Sequence, residues 1–103
     1  MNTFVKIIRN GHMAPGKLAD AELHFTGGEL DGLKLIGFAV WARKDGGGKN
    51  VTFPARQFTV HGERRHYSLL RSVEDVQAEK RLKDVLLQAY VTHEAGSAEG
   101  ATA

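Results

Sequence analysis

The residues best suited to acid–base or metal chemistry are the five histidines, His12, His24, His61, His66 and His93, and their spacing assigns them neither role. No two stand four residues apart or in the HExxH arrangement that aims two imidazoles at one ion. His61 and His66 are five apart, across a turn. Ser68 and Ser72 follow His66 closely, but neither sits in a GxSxG elbow and no acid is placed to orient an imidazole. Asp45-Gly46-Gly47-Gly48-Lys49 ends a glycine run on a lysine without the Walker spacing and without opening a helix, so it does not read as a phosphate loop. The chain has no cysteine, which excludes disulfides and thiolate zinc sites. On these residues we expect a non-enzyme with no catalytic residue, no metal site and no cofactor.

The remaining candidates are cations. Formal net charge is only +2, from 14 basic and 12 acidic residues. Between Arg43 and Arg71, however, Arg43, Lys44, Lys49, Arg56, Arg64, Arg65 and Arg71 face only Asp45 and Glu63, a local net of +5 that leaves −3 for the rest. A basic middle between acidic flanks can present one positive face to backbone phosphates; the alternative is loop charges that simply solvate a surface. Arg43, Arg56, Arg64 and Arg65 rank above Lys44 and Lys49, because a guanidinium is a rigid bidentate fork for phosphate. Trp41 shares a strand face with Arg43, so it offers either a stacking platform in a basic groove or a large core side chain. Phe58, on the Arg56 side of its strand, poses the same choice.

The elements that position these residues centre on Gly37 to Phe58. Phe38, Val40 and Ala42 alternate with Ala39, Trp41 and Arg43, as in a strand. Asp45 to Gly48 then supplies a turn, and Val51, Phe53 and Ala55 return on one face, with Pro54 marking an edge strand or a bulge. Upstream, Thr3–Arg9 reads as strand one, and Asn10-Gly11 and Pro15-Gly16 bound a loop carrying His12 and Met13. Lys17–Thr26 alternates Ala19, Ala21, Leu23 and Phe25 against Leu18, Asp20, Glu22 and His24, which predicts a half-buried strand. Gly27-Gly28 signals a hairpin whose loop extends to Asp31-Gly32 in the longer reading. Leu33–Ala42 is the apolar central strand, with Gly37 marking a bulge or a close backbone approach. His61-Gly62-Glu63 reads as a turn before a short last strand, His66–Leu70.

Ser72–Val91 is the principal helix, with Ser72 and Asp75 as a capping box. Ala78, Leu82, Val85, Leu86 and Ala89, flanked by Tyr90, form its sheet-facing stripe. Val73, Val76, Leu87 and Val91 form a second stripe, expected to lie in a dimer interface. Residues 1–93 are expected to form one domain and 94–103 a disordered tail. No secretion signal and no apolar run of about 18 residues is present, so a soluble cytoplasmic protein without membrane contact is expected.

The order ADAELHF, GFAVWARKDGGGKNVTFPARQF, RLKDVLLQAY resembles the SpoVG family of small bacterial septation and regulatory proteins, over Leu18 to Tyr90. The likeness is carried by Gly37, Phe38–Ala42, the basic loop Arg43–Lys49, Phe53-Pro54, and Val85-Leu86 with Tyr90. Trp41-Ala42 replaces the family's Met-Pro, and His61–Leu70 looks inserted. The resemblance implies a compact antiparallel sheet with a C-terminal helix, dimerisation, and DNA or RNA binding in a regulatory role. It also implies that Lys80, Arg81 and Lys83, beside the acidic Glu79 and Asp84, inherit the family's basic determinants near the helix. The combined expectation is an α+β domain of four to five antiparallel strands and one C-terminal helix. It binds DNA or RNA as a homodimer, or serves as a homo-oligomeric protein-interaction module.

Overall fold

The computed structural model describes residues 1–9 and 14–102, with side chains described as far as Gly96, so the loop carrying His12 and Met13 lies outside the described residues. The element order is β1 (Asn2–Ile8), β2 (Lys17–Thr26), β3 (Lys34–Ala42), β4 (Lys49–Thr52), β5 (Ala55–Val60), β6 (Glu63–Ser68) and α1 (Gln77–Thr102). The first four strands form an antiparallel meander in the order β1-β2-β3-β4, and β5 and β6 form a separate antiparallel hairpin. This is an α+β fold with antiparallel sheets and a C-terminal helix. The described residues form six strands rather than four to five because Phe53-Pro54 splits the return strand after Gly48: Pro54 has no N–H to donate to a ladder, and the chain beyond it pairs with β6 instead.

Alternation in β2 sets the sheet's two faces. Ala19, Ala21 and Leu23 point inward, where Phe38, Val40 and Val51 join them beneath Leu86 and Tyr90 of the helix. Phe53 closes one side of this core, its ring edge-on to Phe38 at 5.5 Å between centroids. The loop between β2 and β3 runs to Leu33, tied by the Asp31 carboxylate accepting the Gly27 amide at 2.6 Å and by the Phe25 amide donating to the Leu33 carbonyl at 2.9 Å.

Two register shifts bend the centre of the sheet. Between Ala21↔Phe38 and Leu23↔Leu35, β3 carries one residue more than β2, so Ile36 and Gly37 together oppose Glu22. Between Lys17↔Trp41 and Ala19↔Val40 the extra residue, Leu18, is on β2. Gly37 has φ +106°, and a Cβ built there would lie 2.8 Å from Pro54 Cβ. Both expectations for this glycine, a bulge and a close approach, hold at one residue, and the close approach is to the joint between β4 and β5.

The helix begins at Gln77, not Ser72. Asp75 caps it: its Oδ1 accepts the Gln77 amide at 2.9 Å and its carbonyl accepts the Ala78 amide at 3.0 Å. Val73 therefore precedes the helix and is 97% exposed. The core stripe is also rotated from the expected one. Leu86 and Tyr90 are buried and Leu82 and Leu87 pack beside them, whereas Val85 is 51% exposed. The reason is the long stem of Lys83, half-buried on the core side with its ammonium 5.6 Å from the Phe53 centroid, so a residue typed as polar occupies part of the packed face. The helix also continues to Thr102, through the stretch expected to be a tail, and Glu94 accepts a hydrogen bond from Arg9 Nη1 at 2.9 Å.

Candidate nucleic-acid interface

The β5–β6 hairpin contributes nothing to the buried core, and along its strands only Val60 and Ser68 are even half-buried. Its strands pair from Ala55↔Ser68 to Val60↔Glu63. They are joined by His61-Gly62, both at positive φ (50° and 80°), as a two-residue hairpin turn of matching twist requires. A two-stranded ribbon is marginal by itself. Here its base is held by the Leu69 amide donating to the Pro54 carbonyl at 2.9 Å, and one face is held by the edge-on pair Phe58 and Tyr67, 5.7 Å between centroids.

Side chains directly opposite in an antiparallel pair share a face. Arg56 with Tyr67, and Phe58 with Arg65, therefore lie on one face; Gln57 with His66, and Thr59 with Arg64, lie on the other. Arg71 joins the first face from the following loop. Its guanidinium carbon stands 5.2 Å from the Tyr67 centroid, and its Nε donates to the Ser68 carbonyl at 2.9 Å. The result is two half-exposed rings, 38% and 39%, set among three arginines.

The remaining predicted positions separate into distinct places. Arg43 and Lys44 lie in the β3–β4 loop, where Arg43 approaches the Asp45 carboxylate at 3.8 Å. Lys49 opens β4 with its ammonium 5.9 Å from the Tyr90 centroid. Burial pushes the phenol of Tyr90 up from its ordinary value, with Glu94 adding to the shift. On the helix, Lys80 is engaged by Asp84 at 3.3 Å and Arg81 by Asp75 at 2.8 Å. Arg81, followed by the Gln77 amide, holds the Asp75 carboxyl below its ordinary value. Arg65 is paired with Glu63 at 3.1 Å. Among the described residues Lys44, Lys49, Arg56, Arg64, Arg71 and Lys83 make no carboxylate pair. Three of those six belong to the hairpin and the loop that follows it.

Trp41 does not join the Phe58–Tyr67 face. Its indole Nε1 donates to Thr52 Oγ1 at 2.8 Å, Lys17 lies 5.4 Å from its ring, and it lines a cleft of about 630 Å³ with Gln57, His66, Glu79 and Lys83. That cleft runs along β4, between the polar face of the hairpin and the helix side chains Glu79 and Lys83. Elsewhere on the sheet Glu22 is held below the usual carboxylate range by His24 first and then Lys34, at 3.0 and 3.1 Å, a cluster that neutralises itself.

Reading by residue type misses Tyr67, and counts Arg71 in the basic segment without placing it at the site. Tyr67 was findable, since a two-residue His61-Gly62 turn with period-two alternation puts it beside Arg56 and diagonal to Phe58. Arg71 has no such signal, because its approach to Tyr67 depends on how the loop folds back. No family model, curated protein or solved structure matches this chain.

Proposed function

We propose that this protein is a non-catalytic, cytoplasmic regulatory protein that binds nucleic acid, DNA or RNA, through backbone phosphates on the β5–β6 hairpin. The observation that supports this most is the hairpin itself: an exposed two-stranded element outside the core, whose Arg56 and Arg64, with Arg71 in the loop that follows, have no carboxylate partner among the described residues. The likeness of Leu18–Tyr90 to the SpoVG family supports the regulatory part of the reading. Lys80 and Arg81 are already paired, with Asp84 on the helix and with Asp75 at its cap.

Fluorescence anisotropy with a labelled oligonucleotide at several salt concentrations tests it. Three phosphate contacts give a slope of log K against log salt of about −2 to −3, and Arg56→Ala or Arg71→Ala each reduces its magnitude by roughly 0.7–0.9. No binding at low salt refutes the reading and shifts weight to a protein-interaction module. The protein acts as a homodimer in this proposal, supported by the apolar side chains left at the surface, among them Leu33, Ile36, Val85 and Val91. A sedimentation mass of 11.3 kDa at micromolar concentration refutes that part.

A further inference from the structure

We propose that the hairpin takes single-stranded nucleic acid, stacking unpaired bases on Phe58 and Tyr67 while Arg56 and Arg71 hold the flanking phosphates. This rests on the nucleic-acid reading above and narrows it to one strand state.

The Phe58–Tyr67 face of the hairpin has the composition of a stacking surface. Each ring stands directly across the ladder from an arginine, Tyr67 from Arg56 and Phe58 from Arg65, so aromatic and cationic side chains alternate over a short ribbon. Every base has a π-face, and an aromatic ring or a guanidinium plane stacks on it without regard to sequence. The Arg71 guanidinium carbon already stands 5.2 Å from the Tyr67 ring centroid. Nε of Arg71 is committed to the Ser68 carbonyl, and its two terminal nitrogens have no carboxylate partner among the described residues, which leaves them for an anion. Arg65, held by Glu63 at 3.1 Å, closes the face toward the turn and contributes less charge to a ligand.

A two-stranded ribbon can also lie in the major groove of a duplex, where it reads base edges with amide and guanidinium side chains. The distribution of residues here argues against that mode. The amide and imidazole that could read edges, Gln57 and His66, are on the opposite face and line the cleft against the body of the domain. The Phe58–Tyr67 face presents rings set among arginines, and in a duplex the faces of the bases are buried against one another and unavailable to those rings. In single strands they are free.

Equilibrium anisotropy at one fixed salt concentration, with a single-stranded DNA, an RNA of the same sequence and the matching DNA duplex, tests the inference on the full chain. Wild-type protein is expected to bind one or both single strands more tightly than the duplex, and the two single-stranded arms separate DNA from RNA. Phe58→Leu and Tyr67→Leu, which keep apolar bulk and remove the ring, should each weaken single-strand binding by about 5- to 150-fold and leave duplex binding within about twofold. Phe58→Tyr and Tyr67→Phe should restore the preference, which distinguishes a lost stacking face from a damaged hairpin. Equal or tighter binding of the duplex, or leucine variants that bind single strands like wild type, overturns the inference and leaves the phosphate reading in place. Absence of binding to all three probes at low salt overturns both.

Discussion

Substituting Gly37 by alanine tests the joint between sheet and hairpin. The glycine has φ +106°, a region that L-residues enter at a cost of about 1–2 kcal/mol, and its new Cβ would meet Pro54 Cβ at 2.8 Å. Neither atom is the end of a flexible side chain, so the backbone must move, and overpacking of this kind costs roughly 1–3 kcal/mol. The sum, about 2–5 kcal/mol, is a large part of the 5–15 kcal/mol that a small domain commands. In urea, with m of about 1–2 kcal/mol/M, the midpoint should fall by at least about 1 M. Gly46→Ala separates the two effects, since Gly46 has φ +73° and nothing within 4 Å of its built Cβ; it should lose only the backbone part. Pro54→Gly removes the colliding atom, so Gly37→Ala should be less damaging in that background than in wild type. If Gly37→Ala is no worse than Gly46→Ala, or shows no coupling to position 54, the close approach is not what selects glycine here.

His61 is the one non-glycine at positive φ among the described residues, and His61→Asn, which tolerates that conformation, should stabilise the protein by roughly 0.5–1 kcal/mol, seen as a rise of a few degrees in Tm. Asp75 has a lowered folded pKa, so its contribution is fully present above the ordinary value of 3.8 and is lost as pH falls through the lower folded value. Asp75→Asn keeps a capping side chain but does not titrate; urea midpoints measured from about pH 6 down to about pH 2 should therefore fall less steeply than in wild type. Some acid dependence should remain in that variant, because the Glu22 carboxyl is shifted in the same direction.

The body of the domain was legible because one face of it is dry. Ala19, Ala21 and Leu23 must be apolar and their outward neighbours need not be, so the pattern announces both strand and face, and Gly37 announces the bulge where side chains would collide. The hairpin had no such signal. Glu63-Arg64-Arg65-His66 carries no apolar alternation, since neither face of β6 packs into the core, and only its end has the pattern of a strand. Pro54 marks a disruption in the sequence, but whether it bends a strand or divides it depends on the partner that Ala55–Val60 finds. The helix phase is hidden for a related reason. Ranking faces by hydrophobicity favours Val85, while the sheet accepts the alkyl stem of Lys83. Arg43, Lys44, Lys49 and the hairpin arginines were selected by charge alone, which cannot say that Arg65 is engaged by Glu63 and Arg56 is not.

Because the Leu69 amide meets the Pro54 carbonyl, the chain leaves the body and re-enters it at one point. Ala55–Ser68 is thus a graft on a closed scaffold. Changes within it leave the core untouched, so the two regions answer to different selective pressures: the meander and helix to packing, the ribbon to whatever it touches. Such a protein can alter its ligand preference over evolution without first losing its fold, and in the laboratory the ribbon is the segment to randomise.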